Sequence, residues 1–189
     1  MITGQKMWVT NGWRAGIVML LAKTDLSADP PHTGMTGFIV EKEPETSPPG
    51  LTIPMPGLPK LGYKGVESTE LVFDGFRTPA SSVLGGEQGV GLGFKYFMSG
   101  IEMGRVNVAA RGAGVAQAAL DDAIAYARER EAFGKPIAQH QAVQLMIAKM
   151  ATRAEAARLL TVQAARKKAS GERADLEAGM AKYFATEAA

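Results

Sequence analysis

The feature that most constrains this chain is the separation of its turn-formers from its helix-formers. Nine of the ten prolines and fifteen of the 22 glycines precede residue 95, whereas 26 of the last 95 residues are alanine. Proline removes a backbone donor and glycine opens left-handed turns, so the first half must consist of short extended segments between turns. Alanine loses least on entering a helix, so the second half must consist of long helices. The division predicts an α+β chain, with an N-terminal antiparallel β-domain followed by three helices of an up-down four-helix bundle. The expected domains are residues 1–88 and 89–189.

Strands are expected at Met7–Thr10, Ile17–Ala22, Gly37–Val40, Leu51–Ile53 and Glu70–Phe73, and Asn11-Gly12 is a hairpin signal between the first two. The residues from Met1 to Lys6 read as the tip of a hairpin whose first strand is missing. Periodicity predicts helices at about Gly91–Arg130, Gln139–Ser170 and from Asp175 onward. The first carries a stripe of mostly small residues: Ala109, Gly112, Ala113, Ala116, Leu120, Ala123 and Ala127. The second shows Val143, Met146, Ile147, Met150, Ala154 and Ala157 on one face, with Gly171 as its stop. The third repeats Leu176, Met180, Tyr183 and Phe184, with Asp175 as its N-cap. Three such helices leave a bundle open for a fourth partner, from a further segment or another subunit.

Composition excludes several classes of function. With no cysteine and only His32 and His140 for imidazole, the chain has no disulfide framework, thiolate metal site, cysteine nucleophile or multi-histidine centre. The missing cysteine points to a reducing, cytoplasmic compartment. No apolar run is long enough to span a bilayer. Residues 1–94 carry seven basic and nine acidic side chains and residues 95–189 carry 14 and 10. The basic residues of the second half alternate with acids and lack interleaved aromatics, which reads as solvated helix surface and not as a nucleic-acid footprint. The glycine-rich run from Gly86 to Gly93 lacks both Gly-x-Gly-x-x-Gly spacing and a strand–loop–helix setting, so it reads as a flexible hinge from β to α and not as a phosphate loop.

Unaided, the residues offer no catalytic constellation. Their order does carry a resemblance. Trp8-Val9-Thr10-Asn11 follows Gly4-Gln5-Lys6. Then come Gly37-Phe38-Ile39-Val40, Lys60-Leu61-Gly62-Tyr63-Lys64-Gly65, Glu70-Leu71-Val72-Phe73-Asp74 with Pro79, and Leu84 to Gly89. Gly104-Arg105-Val106-Asn107-Val108-Ala109, Tyr126 to Ile137, His140-Gln141 and Met180-Ala181-Lys182 complete the series. In this collinear order the chain resembles the FAD-dependent acyl-CoA dehydrogenases, over their middle β-domain and the first part of their C-terminal helical domain.

The resemblance implies an enzyme that oxidises an acyl-CoA to the 2-enoyl-CoA with FAD and passes electrons to an electron-transfer flavoprotein. It also implies a homo-oligomer, either a tetramer or a dimer of dimers. Trp8, Val9 and Thr10 would line the flavin ring, with Thr10 bonding its N5/O4 edge. Arg130, Phe133 and Gln141 would hold the pyrophosphate and adenine side of FAD, typically that of a neighbouring subunit, with His140 structural beside them. Glu102 and Arg105 would lie near the acyl-CoA.

Read without the family, Trp8 and Thr10 are ordinary strand residues, Arg130 is a helix-end cation, and Arg105 makes a buried salt bridge that positions the first helix. One branch of the family carries its catalytic base immediately before the arginine of the first helix. That position here is Gly104, and Glu102 lies about 200° around the helix from it. No catalytic residue is therefore expected in this chain, and the base is expected beyond residue 189. The alternatives are a flavin-dependent oxidase or monooxygenase-like relative, and a non-catalytic oligomerisation fragment.

Overall fold

The computed structural model describes residues 1–189, which divide into two compact units, Met1–Phe97 and Met98–Ala189. The chain is α+β: an antiparallel β region followed by three helices.

In the first unit, β1 (Ile2–Thr10), β4 (Leu51–Thr52) and β5 (Ser68–Phe76) form one antiparallel sheet in the order β1-β5-β4. β2 (Ile17–Lys23) and β3 (Met35–Glu41) form a second, two-stranded sheet. Alternation sets the inner faces. Val18 and Leu20 of β2 point inward between the exposed Ile17 and Met19, as Leu71 and Phe73 do on β5. With Val40, Leu51, Ile53 and Phe76 they make the core, and Ile2, Val9, Trp13 and Phe38 pack on its margin.

Asn11-Gly12 does not close a β1–β2 hairpin, contrary to the sequence signal. Asn11 is left-handed, at φ 56°, and the Gly12 N–H does bond the Val9 carbonyl at 3.3 Å. The Ala15 N–H then returns to the Asn11 carbonyl at 2.7 Å, so the chain makes a longer loop and delivers β2 to the other sheet. A turn dipeptide specifies the bend and not the partner. β1 finds its partner 58 or more residues later, with Thr10 opposite Ser68 and Ile2 opposite Phe76.

From Gly89 to Gly93 the glycine-rich run is packed tightly, against the expectation of a hinge, while Gly86 stands in open space. The Gly91 N–H donates to Thr36 Oγ1 at 3.0 Å, and Thr36 Oγ1 is shared with Thr24 Oγ1 at 2.8 Å. A Cβ on Gly93 would stand 2.3 Å from the Gly37 nitrogen. These glycines serve close approach to β3, not freedom of movement.

α1 (Gly93–Glu129) leads into the second unit and ends at a short hairpin of β6 (Glu131–Ala132) and β7 (Lys135–Pro136). α2 (Gln141–Ala169) and α3 (Asp175–Ala188) follow. α2 runs back along α1: Ala154 packs with Ala116 and Leu120, and Lys168 meets Glu102. The expected small-residue stripe of α1 is its buried face at Ala109, Gly112, Ala116, Leu120 and Ala127.

The expected inner face of α3 is inverted at three of its four residues, and only Phe184 packs against the core. Ala178, Ala181 and Ala185 are buried, while Leu176, Met180 and Tyr183 are exposed. Gly112 of α1 and Ala185 touch backbone to backbone, and at that separation only small side chains fit between the helices. Met146 of α2 likewise lies outside the core. Asp175 is the first helical residue and not the N-cap; Ala174 holds that place.

Candidate functional site

The expected site residues fall into two sets, one in each unit. In the first unit, β1 and β5 lose register between Lys6 and Val9. Lys6 faces Leu71 and Val9 faces Thr69, so β1 contains one residue more than its partner there. Such a bulge re-aims a side chain. Within it Trp8 is held at φ 61°, a left-handed conformation that a bulky residue rarely adopts, and its indole is 59% exposed. Val9 turns back to the core margin, where its carbonyl accepts from the Thr69 hydroxyl at 3.3 Å. Thr10 closes the strand with an exposed side chain. An indole and a hydroxyl, an apolar ring and a hydrogen-bond donor, are thus both exposed at one strand end.

In the second unit, the Arg130 N–H bonds the Tyr126 carbonyl and the Arg130 carbonyl accepts from Ile137, both at 2.8 Å. The β6–β7 hairpin closes just beyond this pair. Its two turn residues, Phe133 and Gly134, both have positive φ, at 53° and 76°, as a two-residue hairpin turn demands. Asparagine or glycine suits the first of these positions, yet it holds a phenylalanine that is 97% exposed. Arg130 and Gln141 are exposed beside this hairpin in sequence. His140 is turned into it: Nε2 lies 3.1 Å from the Ala132 carbonyl, and the ring meets Phe133 edge-on at 6.1 Å. The His140 carbonyl accepts from the N–H groups of Val143 and Gln144 at the start of α2.

Glu102 and Arg105 part company. Arg105 is exposed and makes no buried salt bridge, so the plain reading of that residue does not hold. The ion pair belongs to Glu102, whose Oε2 accepts from Lys168 Nζ at 3.1 Å and whose Oε1 accepts from the Ala174 N–H at 2.9 Å. The Lys168 hydrogen bond, then that of Ala174, hold its carboxyl below the ordinary glutamate value. Gly100 and Gly104 lie one turn apart on α1, and a Cβ on either would meet nothing within 4 Å. Packing inside the chain does not require glycine at those places, although each costs helix stability.

Sequence reasoning missed the groups that hold these elements in place. Lys42, Glu67, Lys168 and Ala174 sit in no motif, and each bonds a group distant in sequence, with a backbone group on one side of every bond except the Lys168–Glu102 pair. No cluster of His, Cys, Asp or Glu that could hold a metal is present, and no helix is long and apolar enough to cross a membrane.

Comparison with known proteins agrees with this arrangement. Residues 1–76 match the model of the acyl-CoA dehydrogenase middle domain, and residues 91–189 match that of the acyl-CoA dehydrogenase C-terminal domain. An acyl-CoA dehydrogenase of Bacillus subtilis (strain 168) is 41% identical over 189 residues, which is 100% of this chain and 47% of that protein. The structure of butyryl-CoA dehydrogenase from Megasphaera elsdenii superposes with a TM-score of 0.88 at 37% identity, covering 99% of this chain and 46% of that one. A structure described as the electron transferring flavoprotein of Acidaminococcus fermentans, in a study of flavin-based electron bifurcation, also superposes at 0.88 and 37% identity, covering 99% and 47%. The chain therefore spans about half the length of the relatives it matches. With both of its halves matched and in order, the chain belongs to the acyl-CoA dehydrogenase family.

Proposed function

We propose that this chain provides the flavin-facing strand end and the subunit-facing β6–β7 hairpin of an FAD-dependent acyl-CoA dehydrogenase. The observation that carries the reading is the bulge that turns Trp8 outward beside Thr10 at the cost of a left-handed backbone. Bound FAD would supply a hydride acceptor for oxidation of an acyl-CoA thioester to the 2-enoyl-CoA, a reaction that also needs a carboxylate to take the α-proton. Trp8 would pack against the flavin ring and exclude water from it, and the Thr10 hydroxyl would donate to its N5/O4 edge. Val9, turned inward, anchors both to the core.

In the helical unit, Arg130 provides a planar cation for the pyrophosphate, with Phe133 and Gln141 on the adenine side. His140 orders the hairpin that presents them. Arg105, exposed on α1, reaches the acyl-CoA, and Glu102 acts through the helix framework. The base lies outside these 189 residues: Gly104 has no carboxylate, and Glu102 is committed to Lys168 and Ala174. The exposed Phe133 and the outward face of α3 support a homo-oligomer, a tetramer or dimer of dimers, with an electron-transfer flavoprotein as acceptor. The absence of cysteine favours the cytoplasm.

The test is a visible absorption spectrum of the purified chain titrated with FAD and then with an acyl-CoA. The expected result is FAD uptake that Trp8→Ala and Arg130→Ala each weaken, with no bleaching by acyl-CoA because no base is present. Equal uptake by both variants would remove these two residues from the site, and bleaching would place a base within the chain.

A further inference from the structure

The loop Asn11–Gly16 follows directly on Trp8, Val9 and Thr10, and two charged side chains hold it. Lys42, the residue after β3, is only 8% exposed. Its ammonium donates to the Trp13 carbonyl at 2.7 Å and the Glu43 carbonyl at 3.3 Å, and it stands 5.9 Å over the Trp13 ring. The Lys42 N–H also bonds the Gly16 carbonyl, at 2.9 Å. Glu67 precedes β5. Its Oε1 accepts from the Arg14 N–H at 3.1 Å, its carbonyl accepts from the Asn11 N–H at 3.1 Å, and its Oε2 is buried without a partner. Between these anchors Gly12 lies so close to Thr69 that a Cβ would stand 2.3 Å from the Thr69 hydroxyl oxygen. That same hydroxyl bonds the carbonyl of Val9.

Neither anchor is what stability alone would choose. A buried ammonium met by carbonyls and an indole, not by a carboxylate, carries a desolvation cost that an apolar side chain of the same length avoids. Burial accordingly lowers the Lys42 pKa, against the raising pull of Glu45 and Glu67. The Trp13 carbonyl already has a partner in the Glu45 N–H at 2.8 Å, so Lys42 is not needed to satisfy it. What the two charges add is geometry. Asn11, Trp13, Arg14 and Gly16 are each tied to Lys42 or Glu67, the residues that flank β3 and β5, and the strand end that carries Trp8 and Thr10 has little slack in the chain that follows it.

We propose that Lys42 and Glu67 are positioning residues, which clamp the Asn11–Gly16 loop and thereby fix Trp8 and Thr10 in the orientation that receives the flavin. The role rests on the flavin reading above, and the test separates the two. Lys42→Met, Glu67→Ala and Glu67→Gln are compared with the unmodified chain by amide hydrogen exchange, flavin-fluorescence titration with FAD and thermal melting. Lys42→Met and Glu67→Ala should each speed exchange at Arg14 and Ala15 and weaken FAD binding, both by about tenfold or more, the scale of one hydrogen bond to a charged group. Exchange along β2 and β3 should stay unchanged. Glu67→Gln keeps an oxygen for the Arg14 N–H and should retain the loop protection and FAD affinity of the unmodified chain.

Unchanged loop exchange in Lys42→Met overturns the clamp. Faster exchange with unaltered FAD affinity, or a lower melting temperature alone, shows a purely structural pair and overturns the positioning role. If the unmodified chain takes up no FAD, the flavin reading fails and the positioning role falls with it, while the exchange data still report the clamp by themselves.

Discussion

Gly112 of α1 and Ala185 of α3 meet so closely that a Cβ built on Gly112 would stand 2.8 Å from the Ala185 carbonyl oxygen and 3.2 Å from its methyl carbon. The obstructing atoms are backbone, which cannot rotate aside as a long side chain could. Gly112→Ala should therefore destabilise the helical unit by about 1–3 kcal/mol, the usual cost of an added methylene in a filled contact. Gly114, two residues along the same helix, has nothing within 4 Å of its would-be Cβ. Gly114→Ala should raise stability by about 1 kcal/mol through helix propensity alone. Urea unfolding of the two variants checks both signs, and equal shifts would mean that the α1–α3 contact is not set by Gly112.

The same reasoning applied to Gly93 decides between a hinge and a fixed post. A Cβ there would lie 2.3 Å from the Gly37 nitrogen and 2.5 Å from the Thr36 carbonyl carbon. A flexible connector tolerates alanine. Gly93→Ala is instead expected to cost about 3 kcal/mol, at the upper end of overpacking, because α1 must leave β3 to make room. Thr36→Val removes the acceptor of the Gly91 N–H and the partner of Thr24 at a fully buried position, and should cost about 1–3 kcal/mol. Thermal unfolding followed by tryptophan fluorescence reads both.

Glu102 makes the stability of the helical unit depend on acid. Its folded-state pKa is depressed, chiefly by Lys168 and then by the Ala174 N–H, below the ordinary glutamate value of 4.5. A depressed carboxylate contributes stability that is fully present above its unfolded pKa and is lost as pH falls through the folded one. The melting temperature should therefore hold near neutrality and drop below about pH 4.5, where the unfolded chain begins to bind the proton first. Glu102→Gln should start lower at neutral pH and fall less steeply through the acid range. Parallel curves for the two proteins would show that this carboxylate does not couple α1 to the α2–α3 turn.

Much of this architecture was legible in the sequence because it depends on local chemistry. The partition of proline and glycine from alanine marked the change from strands to helices, and the spacing of Ala109, Gly112, Ala116 and Leu120 marked the buried stripe of α1. Pairing was less legible. Asn11-Gly12 announces a turn in its own dihedrals, but β1 joins β5 through contacts spread over Ser68–Phe76, which no local pattern encodes. The site was legible only as a collinear set of motifs. The physical reason for Trp8 is a bulge created by mismatch with a distant strand, and the clamps at Lys42 and Glu67 act on backbone groups, so no side-chain pattern reveals them.

The face of α3 shows most plainly how residue size misleads. Periodicity singles out Leu176, Met180, Tyr183 and Phe184 as a core stripe, since large apolar side chains gain most from burial. Where helices approach as closely as α1 and α3, however, the contact is filled by backbone and methyl groups, and of the four large residues only Phe184 packs on the core while the others lie outside. Met180 is 45% exposed while its neighbour Ala181 is fully buried. Ala181→Leu should therefore cost about 1–3 kcal/mol by overpacking, whereas Met180→Ala should change stability by no more than about 0.5 kcal/mol. Denaturation at low protein concentration gives both numbers. The opposite ranking would mean that α3 is rotated, with its large residues packed inward as their periodicity suggests. The expected ranking leaves Leu176, Met180 and Tyr183 as an apolar strip open to another polypeptide. A loss of stability in Met180→Ala that grows with protein concentration would show that copies of this chain associate through it.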